Sequence, residues 1–210
     1  MIMRDLRQNY EFGTLTRANA HPDPFAQFET WFQDALKADI VEPNAMTLAT
    51  ISPEGKVNAR IVLLKVCDRR GFTFFTNYQS QKGQDLTANP QASLVFWWDR
   101  LERQVRVEGA VIKIAPAESD EYFYARPKSS QVGAWASPQS AVIKDRTELE
   151  ANFERYDRQE ETMVRPPHWG GFRVIPTEIE FWQGRPSRLH DRLKYTLMED
   201  QTWRIDRLAP

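Results

Sequence analysis

Cysteine is nearly absent from this chain, which has 210 residues but only Cys67. A lone cysteine cannot form an internal disulfide, and no metal-ligand spacing surrounds it, so we predict no metal site and a reducing, cytoplasmic compartment. Long apolar runs are also missing, because residues 61–64 and 93–98 fall far short of the roughly 20 residues that cross a bilayer. Residues 1–13 lack the apolar stretch of a secretory signal. We therefore expect neither a membrane anchor nor a leader.

Excess charge and glycine-rich loops are absent too. The net charge is -1 and the pI is about 6.3, so the chain lacks the basic field that draws proteins onto nucleic acid. No Gly-x-Gly-x-x-Gly follows a predicted strand and no Walker-type lysine loop occurs, which argues against a dinucleotide or a nucleoside triphosphate. Aromatic residues are plentiful, at 12% with seven Trp. They suit a core, a planar ligand or a subunit interface.

Short strand-like runs dominate the sequence. Asp23 and Pro24 begin an amphipathic helix, and further helices are predicted near Ser80, at 117–125 and at 145–159. Strands joined mainly by short turns predict a mainly β fold, an antiparallel barrel or sandwich with appended helices. With no convincing linker, we expect a flexible segment at 1–20 and a single domain at 21–210. The predicted strands are residues 46–51, 57–66, 72–76, 92–98, 104–114, 171–175, 178–182, 189–197 and 203–208.

Basic side chains stand at a strand end and at a helix start. Arg60 and Lys65 bracket a predicted buried strand and are five positions apart. One ligand could therefore contact both only at a bulge, at the strand end or through a second subunit. Residues 75–82 leave a strand and enter a short helix, where a hydroxyl, free amides and Lys82 could hold a phosphate. Solvated strand-end charges and an ordinary helix N-cap are the alternatives.

A second possible phosphate site lies further along the chain. Tyr122 and Arg126 are four residues apart on a predicted helix and share one face, with Ser130 just beyond the helix end. A phenol, a guanidinium and hydroxyls could surround a phosphate. A surface aromatic stacked on an arginine would explain the pair equally well.

Residues 179–192 carry the sharpest local signal. If the end of this stretch is extended, Arg188, His190 and Arg192 project on one face and place two fixed charges beside a titratable imidazole. Such crowding favours a bound anion. A solvated basic edge strand is the alternative.

In order and spacing, these motifs resemble the pyridoxamine 5'-phosphate oxidase family over nearly the whole chain, from about Arg7 onward. Residues 179–192 fit the family signature, a glutamate and aromatics followed by Arg-x-His-x-Arg. The resemblance implies an antiparallel, Greek-key-like FMN-binding split barrel that works as a homodimer, with the flavin at the subunit interface. It also implies oxidation of pyridoxamine and pyridoxine 5'-phosphate by dioxygen to pyridoxal 5'-phosphate, releasing hydrogen peroxide and, from the amine, ammonia. Supporting blocks are residues 60–65, 75–77, 101–105, 122–131, 135–140 and 169–173.

The resemblance also assigns roles to individual residues. Arg188 and His190 would lie against the substrate ring and are the catalytic candidates, while Arg7 and Tyr10 would close over the substrate. The FMN contacts it implies are Arg60, Lys65, Phe75, Thr76, Gln81, Lys82, Gln104, Gln139, Ser140, Trp182 and Arg192. The substrate contacts it implies are Arg7, Tyr10, Lys65, Tyr122, Arg126, Ser130, Arg188 and His190.

Gln81 departs from the family pattern, which usually has a second basic residue at this position. An amide can donate to a phosphate but lacks the charge that makes such bonds roughly twice as strong. We therefore expect weaker retention of FMN than in a Gln81→Arg variant.

Other classes fit parts of the sequence. A split-barrel flavoprotein acting on a different substrate is the nearest, and Tyr122, Arg126 and Ser130 count against it. A non-catalytic carrier of pyridoxal phosphate would need the same phosphate contacts but no flavin. A nucleic-acid-binding β-barrel is disfavoured by the near-neutral charge.

Overall fold

One antiparallel sheet forms the framework of the computed structural model, which describes residues 10–159 and 163–210. Its strands are β1 (Ala45–Ile51), β2 (Val57–Leu63), β3 (Val66–Asp68), β4 (Gly71–Asn77), β5 (Gln91–Trp98), β6 (Arg103–Lys113), β7 (Trp169–Gln183), β8 (Asp191–Leu197) and β9 (Trp203–Leu208). The strand order is β2-β1-β5-β6-β7-β4-β3, and β8 and β9 continue from the second half of β7. The mainly β, antiparallel prediction is confirmed.

Helices are appended to this sheet instead of alternating with its strands. They are α1 (Pro24–Lys37), α2 (Gln81–Ala88), α3 (Pro116–Ala125), α4 (Lys128–Ala136) and α5 (Arg146–Asp157). None of the helices in the described residues is both long and apolar enough to cross a membrane.

Helix α1 supplies part of the core. It begins as predicted, with Pro24 in its first turn and the Asp23 carboxylate accepting a hydrogen bond from the backbone N–H of Phe25 at 2.9 Å. The ring centroid of Phe28 then lies 5.0 Å from that of Phe72 on β4. Both side chains are at most 2% exposed, and each such burial stabilises the fold by about 1.5–3 kcal/mol.

Strand β7 differs from its prediction as two strands. It is one strand of 15 residues, whose first half pairs with β4 and whose second half pairs with β8. Between the two predicted strands, the pairing of β7 with β6 shifts its register. The shift lies between Glu108 and Gly109 of β6, opposite Pro176 of β7. Proline cannot donate a ladder hydrogen bond and is tolerated at such an irregularity, so the strand bends there without ending.

Two other predictions need correction. Helix α4 is not among the predicted helices, because the prediction places Ser130 just beyond a helix end, whereas Pro127 lets a new helix begin at Lys128. The predicted strand 189–197 begins only at Asp191, since Pro186–Arg188 forms a 3-10 turn in which Ser187 and Arg188 have φ of 57° and 62°. The prediction that Arg188 shares one strand face with His190 and Arg192 is therefore wrong.

Candidate active site

A cavity of about 660 Å³ opens between the ends of β2 and β4 and helices α3 and α4. Strand β2 ends at Leu63, so Lys65 lies beyond the regular strand and faces the same cavity as Arg60. Both residues therefore line one cavity near the end of β2, in keeping with the strand-end alternative for this pair. Residues named from the sequence that line the cavity are Arg60, Lys65, Phe75, Thr76, Lys82, Tyr122, Arg126, Ser130 and Gln139.

Lys82 is a buried cation with only neutral hydrogen-bond partners. Its side chain follows the N-cap of α2, and the residue is 9% exposed. The Nζ atom lies 3.2 Å from Gln139 Oε1 and 3.4 Å from the hydroxyls of Thr76 and Ser80. Burial, followed by the nearby charge of Arg60, lowers the pKa of Lys82. An anion in the cavity would offset both effects.

Arg60 lies on the opposite wall of this anion site. Its Nη1 atom donates to the Leu48 carbonyl at 3.2 Å and to Thr50 Oγ1 at 2.7 Å. These two bonds hold the guanidinium against β1 while leaving it among the cavity-lining groups. Burial lowers the pKa of Arg60, and the charge of Asp85 acts in the opposite direction.

Arg126 is a further basic residue that lines the same cavity. It follows the last residue of α3, and its guanidinium lies over the Trp169 ring at 4.6 Å from the centroid. Its Nη1 atom is buried and has no hydrogen-bond partner among the described residues. Burial lowers the pKa of Arg126, with the charge of Tyr122 opposing that shift. A buried unpaired guanidinium N–H is costly, so the cavity fits an anionic group at this point.

Stacked aromatic rings form the wall between these cations. The ring of Phe75 lies 4.0 Å from that of Tyr122 at an interplanar angle of 21°. The Trp169 ring stacks on Phe75 at 5.5 Å and 13°. A wall of parallel rings beside two anion sites suits a planar ligand that carries phosphate.

A second group of predicted residues lies elsewhere on the sheet, where β6, β7 and β8 are paired. Trp182 faces Gln104 on one side and Arg192 on the other in the strand register. The His190 ring lies 4.5 Å from that of Trp182, and the Tyr10 ring contacts both. None of these residues lines the cavity.

The protonation of His190 follows from its contacts. Its Nδ1 atom accepts a hydrogen bond from the backbone N–H of Arg185 at 3.1 Å, so the neutral ring carries its proton on Nε2. Burial, followed by the charge of Arg188, lowers the pKa of His190. The ring is therefore neutral at pH 7 and can act as a hydrogen-bond donor through Nε2.

Arg192 is held by Glu180, the glutamate of the signature segment, to which the sequence analysis assigned no role. The carboxylate accepts bonds from Nε and Nη2 of Arg192 at 2.7 and 3.0 Å. Glu180 is 8% exposed, and the hydrogen bond to it raises the pKa of Arg192. The available signal was its position in the signature segment, twelve residues before Arg192.

Three further predicted residues lie outside the cavity, and one cannot be located. Gln81 turns its amide to the buried Asp85 at 2.8 Å. Ser140 is exposed with φ of 71°, and Arg188 is also exposed. Arg7 lies outside the described residues.

The two groups of residues are separated along β7. Trp169, which lines the cavity, and Trp182, in the second group, are the first residue and the last but one of this strand. At about 3.3 Å per residue, some 40 Å of extended chain lies between them. The two groups of predicted site residues therefore lie near opposite ends of one strand.

Comparison with known proteins gives a consistent picture. A family model described as pyridoxamine 5'-phosphate oxidase matches residues 32–159, and one described as a pyridoxine 5'-phosphate oxidase C-terminal dimerisation region matches residues 169–210. The chain is 61% identical over 210 residues to a pyridoxine/pyridoxamine 5'-phosphate oxidase of Synechocystis sp. The aligned region covers 99% of this chain and 98% of that relative. It is 58% identical over 211 residues to the protein of that name in Bordetella pertussis, with 100% of both chains covered.

Solved structures share the fold. PhzG of Burkholderia lata, in complex with tetrahydrophenazine-1-carboxylic acid, matches with a TM-score of 0.88 at 29% identity, over 94% of this chain and 98% of that one. An FMN-binding, pyridoxamine 5'-phosphate oxidase-related protein of Nostoc punctiforme matches with a TM-score of 0.71 at 17% identity, over 87% and 97%. Together with the sheet and the cavity, the matches define an oxidoreductase of the split-barrel flavoprotein class that carries a dimerisation region. Within that class, the chain belongs to the pyridoxamine 5'-phosphate oxidase family.

Proposed function

We propose that this chain uses FMN and dioxygen to oxidise pyridoxamine 5'-phosphate and pyridoxine 5'-phosphate to pyridoxal 5'-phosphate. The observation that carries the proposal is the presence of four basic side chains, Arg60, Lys65, Lys82 and Arg126, in one cavity. We divide them into two groups, Arg60 with Lys82 and Lys65 with Arg126. Each group suits one phosphate. The FMN phosphate takes the first and the substrate phosphate takes the second.

The flavin-binding residues of this protomer are those around α2 and β4. Arg60 and Lys82 hold the phosphate, while Thr76 and Gln139, which already contact the Lys82 ammonium, contact the cofactor near it. Phe75 and Lys65 bound the same space, with Ser140 and Gln81 at its margin. When bound, FMN supplies the redox chemistry by accepting a hydride equivalent from the substrate and passing two electrons to dioxygen.

The substrate phosphate is held by α3 and the turn that follows it. Arg126 offers its unpaired Nη1–H, and Tyr122, Ser130 and Lys65 line the same part of the cavity. Clamping the phosphate fixes C4' of the pyridine ring against the cofactor, which converts an encounter into a reactive arrangement.

We propose that the partner subunit completes each site in a homodimer. The second group of residues lies in the region matched by the dimerisation model, apart from Gln104 and Tyr10. The partner subunit's Trp182 and Arg192 would then contact FMN together with the partner subunit's Gln104. Arg188 of the partner subunit and His190 of the partner subunit would lie against the substrate ring, with Arg7 and Tyr10 closing over it.

The protein's own contribution to the reaction is binding, orientation and electrostatics. Arg188 and Arg192 would stabilise the anionic charge of the reduced flavin ring and of the substrate oxygen. His190, neutral with its proton on Nε2, donates a hydrogen bond instead of removing a proton. Oxidation of the amine gives an imine, which water hydrolyses to the aldehyde and ammonia. The alcohol gives the aldehyde directly, and in both cases dioxygen becomes hydrogen peroxide.

The test is a visible spectrum of the purified protein followed by a peroxide assay. We expect a flavin spectrum and peroxide release with pyridoxine 5'-phosphate, and far slower release with unphosphorylated pyridoxine, because Arg126 and Lys65 lose their ligand. Flavin without peroxide release on pyridoxine 5'-phosphate or pyridoxamine 5'-phosphate would favour a split-barrel flavoprotein acting on a different substrate. No flavin after addition of FMN would refute the proposal.

A further inference from the structure

A buried carboxylate lies directly beneath the proposed flavin-phosphate site. Asp85 on α2 is 0% exposed. Its Oδ2 atom accepts hydrogen bonds from Thr50 Oγ1 at 2.7 Å and from Asn58 Nδ2 at 3.1 Å. Its Oδ1 atom accepts one from Gln81 Nε2 at 2.8 Å. Asp85 itself does not line the cavity, so it cannot contact a ligand there.

Asp85 is connected to Arg60 by two routes. Directly, Arg60 Nη2 lies 3.8 Å from Asp85 Oδ2. Indirectly, the Thr50 hydroxyl accepts from Arg60 Nη1 at 2.7 Å and donates its own proton to Asp85. The hydroxyl can do both only if Asp85 accepts, so the carboxylate fixes the direction of this chain of bonds and with it the orientation of the guanidinium.

The charge of Asp85 also matters for the cavity. Arg60 and Lys82 are close enough that each repels the other, which adds to the cost of burying them. The negative charge of Asp85 acts against this effect at both residues. The two cations and one buried carboxylate leave a net positive site, which suits a phosphate dianion.

Gln81 serves this network. It lies four residues before Asp85 in the same helix, so the two side chains share a face. Although burial alone would raise the pKa of Asp85, the hydrogen bonds from Thr50, Gln81 and Asn58, with the charge of Arg60, lower it. The Gln81 amide thus helps to keep the carboxylate ionised.

We propose that Asp85 is a positioning residue that orients Arg60 for the flavin phosphate, and that Gln81 acts through Asp85 instead of contacting the phosphate. This inference rests on the proposed function, because it concerns the FMN site. It predicts that a change at Asp85 weakens only the binding of the FMN phosphate. Riboflavin lacks that phosphate, so its affinity should be unaffected unless the variant has lost structure in general.

The experiment measures the Kd of apoprotein for FMN and for riboflavin by fluorescence quenching. Asp85→Asn removes the charge, and the new Nδ2 atom cannot accept the hydrogen bonds that one of the two carboxylate oxygens accepts from Thr50, Gln81 or Asn58. We expect the Kd for FMN to rise about tenfold or more, while the Kd for riboflavin stays within about twofold of wild type. Asp157→Asn, a surface change of the same charge on α5, is the matched control and should alter neither value.

Two further variants separate the parts of the proposal. Thr50→Val removes only the relay hydroxyl at nearly constant shape, so a smaller loss of FMN affinity without a riboflavin effect is expected even if Asp85→Asn folds poorly. Gln81→Met alone should raise the Kd for FMN. Combined with Asp85→Asn, it should raise the Kd no further than Asp85→Asn does by itself, since its effect passes through Asp85.

Each contrary outcome has a distinct meaning. Unchanged FMN binding in Asp85→Asn and Thr50→Val would overturn the inference and leave the proposed function standing. Parallel loss of FMN and riboflavin would show that Asp85 is merely structural, and would overturn it as well. A wild-type protein that binds neither flavin would overturn the proposed function and this inference with it.

Discussion

At the scale of single residues, Lys82, Arg126 and Arg188 differ in their burial and in their hydrogen-bond partners. Lys82 has only neutral partners, and Arg126 has a buried N–H with no partner in the described residues. Arg188, by contrast, is exposed and belongs to the second group. We therefore expect these residues to affect different measurements.

Lys82→Met should lower the flavin content of the purified protein, because the cofactor phosphate loses a buried charge. Arg188→Ala should leave flavin content near that of wild type but lower turnover of the FMN-saturated enzyme by about tenfold or more. Absorbance of bound flavin and the peroxide assay give the two values. If Arg188→Ala loses flavin and turnover together, its assigned role is wrong.

Gln81→Arg should bind FMN about fivefold more tightly than wild type, because a charged donor reaches further toward the phosphate than an amide and its bonds are stronger. Fluorescence titration gives both Kd values. Equal affinities would contradict the expectation that the departure at this position weakens FMN retention.

His190 should titrate below the ordinary histidine value of 6.5, since burial and the charge of Arg188 lower its pKa. The ring would then gain its second proton only as the pH falls through that lowered value. Once protonated, Nδ1 could no longer accept the hydrogen bond from the Arg185 N–H. In Arg188→Gln the titration should move to higher pH. NMR can follow the ring directly, because the chain has only three histidines. A midpoint that does not move in the variant would rule out Arg188 as the neighbouring charge.

At the scale of secondary-structure elements, α3 is docked by consecutive polar residues of its first turns. Glu118 Oε2 accepts from Arg173 Nη2 at 2.7 Å, Ser119 Oγ accepts from the backbone N–H of Gly171 at 3.2 Å, and Asp120 Oδ1 accepts from Arg165 Nε at 2.6 Å. These contacts fix the helix on and near β7 and so place Tyr122 and Arg126 at its far end.

Glu118→Gln should destabilise the fold by about 1–3 kcal/mol, because Arg173, 5% exposed, loses its ionised partner. The hydrogen bond from Arg173 lowers the pKa of Glu118 below its usual 4.5. The stabilisation is thus present above about pH 4.5 and is lost as the pH falls through the lowered pKa. Thermal unfolding at neutral and acid pH should show the two proteins converging in acid.

The matched control for this prediction is Glu150→Gln, which breaks an exposed pair with Arg146 on α5. Such surface pairs contribute about 0.5 kcal/mol or less, so no clear shift in the unfolding temperature is expected. If Glu150→Gln lowered the unfolding temperature as much as Glu118→Gln, the loss of one negative charge, and not the contact with Arg173, would explain both results.

At the scale of the whole molecule, the two groups of predicted site residues lie on different parts of one protomer. If each complete site combines both, Arg126→Ala and Arg188→Ala should each be nearly inactive alone. Random co-assembly makes half of the dimers mixed, and each mixed dimer has one unaltered site, so about a quarter of wild-type activity should return. Co-expression with two affinity tags and a peroxide assay would measure it. Complete inactivity of isolated mixed dimers would exclude shared sites.

Local patterns determined much of this protein. Alternating apolar residues predicted most strands, and Asp23 with Pro24 predicted the start of α1, because both signals depend only on neighbouring residues. The spacing of Tyr122 and Arg126 placed them together for the same reason. Similarity to the family signature in residues 179–192 identified the family, which the comparisons confirmed.

Tertiary structure decided what depends on residues distant in sequence. Pro127 could end a helix or begin another, and Arg188 left its strand face because a 3-10 turn precedes β8. Asp85 has no local sign of being buried, since its partners Thr50 and Asn58 come from two other strands. The joining of Arg60, Lys82 and Arg126 in one cavity arises only when β2, α2 and α3 pack together. Sequence thus determines most of the elements and the family, because these depend on neighbouring residues, while packing determines which charges meet and which are buried without partners.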